Sequence, residues 1–163
     1  MCVSMSPHVK KVGLFVDADP QEVRETAHFL SLDVLQFHGN ESPEYCAAFK
    51  DRAVWKAIKV GSIADLTRIG NYSSVDAILL DANVQGQMGG TGQTFDWNLA
   101  KKAKVYGKPI VLAGGLNPSN VAQAISIVDP FCVDVSSGVE ESKGKKSMEK
   151  MKAFIEAAKG RSN

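Results

Sequence analysis

The sequence predicts an α/β fold built from about six βα units with parallel strands. Three observations carry this. Short apolar runs at residues 12–16, 34–37, 54–58, 77–80, 110–112 and 131–135 start about 20 to 33 residues apart, near the length of one βα unit. Most of the runs are continuously apolar, as parallel strands buried on both faces are, where one-sided alternation is not needed. Between them lie helical patterns with explicit start signals.

Taken in order, the first strand is followed by Asp19-Pro20. This sets a capping side chain ahead of a proline whose fixed φ and missing N–H suit the first helical turn. Val23, Ala27 and Leu30 then share a face. The run at 34–37 leads into Ser42-Pro43-Glu44, and the run at 110–112 into Asn117-Pro118, the same cap-plus-proline device. After Asn117, an apolar stripe of Val121, Ala124, Ile125 and Val128 marks a helix facing the sheet, and Met148, Met151, Phe154, Ile155 and Ala158 mark a final one. A closed (β/α)8 barrel needs eight units. The repeat therefore reads either as an open six-stranded sheet or as a barrel lacking its first two units.

Bulk properties narrow the function. The chain has 163 residues, 44% hydrophobic and 23% charged, which describes a single ordinary globular domain over 1–163. A net charge of +1 supplies no field for a nucleic-acid partner. Cys2, Cys46 and Cys132 are odd in number and widely spaced, with no zinc pattern and no disulfide framework, as expected in a reducing compartment. No apolar stretch approaches the roughly 20 residues of a membrane span. Residues 1–6 lack the pattern of a signal peptide, so the expected location is cytoplasmic.

The chemistry concentrates where apolar runs end. Val111-Leu112-Ala113-Gly114-Gly115-Leu116-Asn117-Pro118 and Val133-Asp134-Val135-Ser136-Ser137-Gly138 each break into a small-residue turn about one βα unit apart. Such turns let backbone N–H groups approach one anion, and barrels commonly hold phosphate after their last two strands. Asp81 ends a buried run, where parallel α/β proteins carry catalytic groups; it reads either as a general acid or as a cap for the following loop. That loop, residues 86–94, is glycine-rich and reads as a cover over the site, though without the Gly-Lys-Ser/Thr of a nucleotide loop. His38 ends another run, with Gln36 two residues back on the same face, and reads as a ligand contact or a structural histidine. Asp134 inside an apolar strand needs a function or a partner. Lys56 and Lys59 can aim a cation at the barrel mouth or extend to solvent, Cys46 and Cys132 read as small hydrophobes, and the basic run 143–146 reads as a solvated loop.

An ordered set of segments carries a family resemblance from about residue 9 to the C-terminus. They are Lys11-Val12-Gly13-Leu14-Phe15-Val16, Leu35-Gln36-Phe37-His38-Gly39, Leu79-Leu80-Asp81, Gly89-Gly90-Thr91-Gly92, Thr94-Phe95-Asp96-Trp97 and the two turns above with Val139-Glu140. In this order they resemble the phosphoribosylanthranilate isomerases, TIM-barrel enzymes of tryptophan biosynthesis. The resemblance implies a (β/α)8 barrel, here incomplete, with about six units. It implies an Amadori rearrangement of an aminoaldose phosphate to an aminoketose, without a cofactor or metal. Asp81 would be the general acid at the furanose oxygen, Asp134 would bind near the substrate amine, and His38 would contact the substrate. Backbone around Gly115, Ser137 and Gly138 would hold the phosphate of a small phosphosugar.

The family also begins with a Lys-x-Cys-Gly strand, whose cysteine is the general base, and a second strand whose loop carries a substrate-binding arginine. Neither has a counterpart here, and Cys2 lacks the following glycine. The expectation is an N-terminally truncated barrel, able to form a homo-oligomer through its exposed edges. An alternative reading is a catalytically impaired remnant that still binds phosphorylated ligands. Other phosphosugar barrel enzymes would show different catalytic sets.

Overall fold

The computed structural model describes residues 8–82 and 96–160. Its main sheet has six parallel strands in the order β1-β2-β3-β4-β5-β6, the order of the chain. They are β1 (Val12–Phe15), β2 (Val34–Phe37), β3 (Ala53–Val60), β4 (Ala77–Ala82), β5 (Ile110–Leu112) and β6 (Cys132–Val133). Helices α1 (Pro20–Leu30), α2 (Pro43–Ala47), α3 (Ile63–Leu66), α4 (Trp97–Ala103) and α5 (Val121–Val128) fall between them, and α6 (Met148–Lys159) follows an antiparallel hairpin of β7 (Glu140–Ser142) and β8 (Lys145–Lys146). The strand order never reverses, and the helices pack into one core against one face of the sheet. This is the arrangement of a barrel wall, not of a doubly wound sheet. The architecture is an incomplete (β/α)8 barrel of six units.

The two faces of the sheet bury different side chains because successive residues point to opposite sides. Leu35, Phe37, Val54, Ile58, Ile78, Leu80, Ile110 and Leu112 join Val23, Ala27, Trp97, Ala100, Val121 and Phe154 in the main core under the helices. Phe37 anchors it, meeting Phe15, Tyr45 and Phe49 with ring centroids 5.1–6.2 Å apart. Ala57, Ala77, Leu79, Val111 and Ala113, with Trp55 and Cys132, make a smaller cluster on the barrel-interior face. At the β1 edge that interior face is open: Val12, Leu14 and Val16 are 42–60% exposed.

Local chemistry explains the helix starts. Asp19 accepts from the Gln21 N–H at 2.8 Å, Ser42 from Tyr45 at 3.1 Å, Asp96 from Asn98 at 3.0 Å and Ser147 from Lys150 at 3.3 Å. Asn117 caps the turn that leads into α5, its carbonyl accepting from the Val121 N–H at 3.1 Å. Its side chain accepts from the Ser119 N–H and hydroxyl, an Asx turn that delivers the chain to Asn120, and the helix begins at Val121. The last helix also differs from expectation: only Phe154 is buried, Met151 and Ala158 are partly so, and Met148 and Ile155 face solvent. A short amphipathic helix on a sheet edge needs a narrower apolar stripe than its sequence offers.

Strand lengths shift by one to three residues. Residues 59–60 and 81–82 continue in pairing, because β3 and β4 are central and find partners along their whole length. Phe131, Asp134 and Val135 drop out of β6, the opposite edge strand, where only β5 offers a ladder.

Candidate active site

The carboxyl ends of the strands form one cleft of about 240 Å³. Leu14 from β1, His38 after β2, Asp81 in β4, residues 113–116 after β5 and residues 134–138 after β6 line it. His38, Asp81, Gly115, Asp134, Ser137 and Gly138, separated by up to a hundred residues in sequence, therefore meet around one space. The reason is topological: every strand runs the same way, so every run that ends in a polar or small residue delivers it to the same rim. The glycine-rich segment 86–94 lies outside the described residues, as does Cys2.

Asp81 and His38 are partners. His38 Nε2 lies 3.2 Å from Asp81 Oδ2, with the side chains 20% and 30% exposed. On its other side, His38 Nδ1 faces the Gln36 amide nitrogen at 3.4 Å. A donating Gln36 amide leaves the ring proton on Nε2, aimed at Asp81. His38, for which sequence shows no partner, thus has two. Gln36 is 5% exposed, held on the interior face beside the histidine it orients.

Asp134 sits between these groups and the second turn. Burial pushes its carboxyl above the usual carboxylate range; the positive charge that His38 can carry lowers it, the nearby Asp81 raises it, and the Val135 N–H and Lys146 lower it. The arrangement favours a carboxyl that meets a polar ligand group, since a partly desolvated acid gains most from a new hydrogen bond.

The two small-residue turns abut. A Cβ on Gly138 would lie 1.9 Å from the Leu116 carbonyl oxygen, so only glycine lets the turn after β6 rest on the turn after β5. Gly115 is glycine for a different reason. Its φ is +70° while the space beside it is open, which leaves room for a ligand against bare backbone. The 3₁₀ turn Ser137–Val139 carries Ser137 and Gly138 onto the rim.

Sequence reasoning missed the support behind this rim. Lys146 reaches from the hairpin to the Ser136 carbonyl at 2.8 Å, its hydroxyl at 3.3 Å and Glu140 Oε1 at 2.8 Å. The basic run 143–146 is therefore a hairpin with one lysine tied to the turn, not a free solvated loop. Lys56 points neither to the barrel mouth nor to solvent: its side chain is fully buried on the helix side of β3 and pairs with Glu41 at 3.1 Å. The parity of Lys56 with Val54 and Ile58 is the signal that gives its direction; Glu41, in a loop fifteen residues earlier, offers none. Lys59 is exposed. The cysteines behave as expected of small apolar groups: burial pushes the Cys46 thiol up to about 11 and raises that of Cys132, which is only half-buried.

Among the described residues no group of three or more His, Cys, Asp or Glu side chains is arranged to hold a metal ion, and no helix is long and apolar enough to cross a membrane.

Comparison with known proteins names the arrangement. A family model described as N-(5'phosphoribosyl)anthranilate (PRA) isomerase matches residues 2–157. The chain is 50% identical over 152 residues to N-(5'-phosphoribosyl)anthranilate isomerase of Caldanaerobacter subterraneus subsp. tengcongensis, covering 93% of this chain and 73% of that relative. The crystal structure of phosphoribosyl anthranilate isomerase from Thermotoga maritima superposes with a TM-score of 0.89 at 42% identity, over 96% of this chain and 76% of that one. A phosphoribosyl anthranilate isomerase in complex with reduced 1-(o-carboxyphenylamino)-1-deoxyribulose 5-phosphate superposes with a TM-score of 0.85 at 39% identity, over 97% and 75%.

Proposed function

The chain belongs to the N-(5'-phosphoribosyl)anthranilate isomerase family, and we propose that the cleft residues divide that enzyme's work as follows. The reaction converts N-(5-phosphoribosyl)anthranilate to 1-(2-carboxyphenylamino)-1-deoxyribulose 5-phosphate, an Amadori rearrangement in tryptophan biosynthesis. The small phosphosugar lies across the cleft with its phosphate at the abutting turns. The bare backbone at Gly115, Ser137 and Gly138 supplies N–H groups to the phosphate oxygens.

Asp81 is the general acid. It gives a proton to the furanose ring oxygen, the C1′–O bond breaks, and the amine lone pair forms the Schiff base. His38 Nε2 donates to Asp81 Oδ2 at 3.2 Å, which fixes the carboxyl and leaves the acid's proton to Oδ1. Asp134 meets the substrate amine, where positive charge develops as the imine forms. Loss of the C2′ proton then makes an enolamine, which tautomerises to the ketose; the imine itself is the electron sink. Neither Cys46 nor Cys132 suits the base that removes this proton, since both thiols are held in the protonated form.

The single observation that carries the proposal is the His38–Asp81 contact, set in the cleft whose far wall is the pair of glycine turns. The test is turnover of phosphoribosylanthranilate by the 163-residue chain, followed as loss of substrate fluorescence, beside Asp81→Asn. The variant is expected to lose about 10²–10⁴-fold in kcat with the fold intact. Equal rates would remove Asp81 from the acid's role. The exposed residues Val12 and Leu14 on β1, with Val16 just after it, also support a homo-oligomer, which sedimentation of the same sample would reveal as mass beyond one chain.

A further inference from the structure

The site's histidine is held from behind by a buried ion pair. Lys56 and Glu41 have side chains 0% and 1% exposed, and both lie outside the cleft. Lys56 Nζ donates to the Gly39 carbonyl at 2.9 Å and approaches that of Phe37 at 3.3 Å, the residues on either side of His38. Its other contacts are Glu41 Oε2 at 3.1 Å and the Ala57 carbonyl at 3.0 Å. Glu41 Oε1 accepts from the N–H groups of Asp17 at 2.9 Å and Gly39 at 3.1 Å, and the Tyr72 hydroxyl donates to the Glu41 carbonyl at 2.9 Å. Asp17 in turn accepts from the Asn40 N–H at 2.6 Å. Gly39 is pressed so close to this turn that a Cβ would lie 2.4 Å from Asp17 Oδ1.

Stability alone does not account for such a pair. Desolvating two charges costs about as much as their attraction returns, and apolar replacements of similar volume are often neutral or stabilising. What an ammonium group does that a methionine cannot is draw several carbonyl oxygens to one point. Two of those drawn here bracket His38. We infer that Lys56 and Glu41 are positioning residues for the reaction, fixing the His38 backbone so that its ring spans Gln36 and Asp81. This rests on the assignment of His38 to the active site. Lys56 acts through the histidine and touches no substrate.

The test reads the histidine directly. The chain has three histidines, so ¹⁵N ring spectra of a labelled sample are assigned with one His38→Asn control. At about pH 8, above the unperturbed imidazole range, wild type is expected to show separate Nδ1 and Nε2 signals with the proton on Nε2. In Lys56→Met these signals should converge as the tautomers mix. Tyr72→Phe, which removes one hydrogen bond from the same loop, should move them less and in the same direction. The Kd for inorganic phosphate should stay within about twofold in both, because the phosphate-facing turns follow β5 and β6. A folded Lys56→Met with the wild-type histidine pattern overturns the inference. If that variant does not fold, an unchanged pattern in Tyr72→Phe does so. Convergence accompanied by a large loss of phosphate binding means general loosening, and also overturns it. If wild type binds no phosphate, the functional reading fails at the turns, while the histidine pattern still decides the role of Lys56.

Discussion

Replacing Gly138 by alanine isolates the contact on which the two turns at the cleft rim rest. The new Cβ would sit 1.9 Å from the Leu116 carbonyl oxygen, 2.9 Å from its carbon and 3.1 Å from the Asn117 Cα. All three neighbours are backbone, so no rotamer change relieves the clash. The nearest lies about 1.5 Å inside the 3.4 Å at which ordinary contact begins, and one of the two turns must withdraw by that much. Overpacking of this kind costs about 1–3 kcal/mol, which for a chain of this size lowers Tm by about 2–4 °C per kcal/mol. On the proposed function, phosphate affinity should fall further than stability, because the displaced backbone is the surface proposed to hold the phosphate. Gly107→Ala separates clash from backbone strain: its φ is +71° with nothing within 4 Å, so it should cost about 1–2 kcal/mol with no effect on phosphate. Urea unfolding followed by circular dichroism, with phosphate titrations on the folded proteins, measures both. A Gly138→Ala protein with wild-type stability and affinity would show that the turns do not abut and would refute this reasoning.

Other changes test neighbouring links. Asp134 has a folded-state pKa raised by burial, so ionising it opposes folding: the penalty is absent below the unfolded value and complete above the folded one. Asp134→Asn should therefore be more stable than wild type at pH 7, with the margin vanishing as pH falls toward about 4, and denaturation at a series of pH values reads it; turnover should fall in the same variant. Asp19→Ala removes the N-cap of α1 and should cost about 1 kcal/mol without changing ligand affinity, checked by urea midpoint.

The strand–helix rhythm, the direction of the strands and the capping of α1 and α2 were legible in the chain alone. Each depends on local patterns: continuous apolar runs, start-to-start spacing, a cap followed by proline. The rim residues were legible for the same reason, since a polar or small residue ending a buried parallel strand has only one end of the sheet to occupy. The cap at Asn117 was legible too, but not that the turn it caps would take up residues 118–120 before the regular helix starts at Val121. Which way Lys56 points was readable from its parity with Val54 and Ile58; that Glu41 meets it was not.

Sequence by itself thus determined a parallel βα repeat with its chemistry on one rim, because side-chain alternation and chain direction are local properties. Only the tertiary structure decided who meets whom there. His38 finds Asp81 across forty-three residues, Gly138 rests on Leu116, and Lys56 reaches back to Glu41 behind the sheet. Those contacts depend on how neighbouring strands are registered and how closely two turns can approach, and distances of that kind appear only once the strands are assembled.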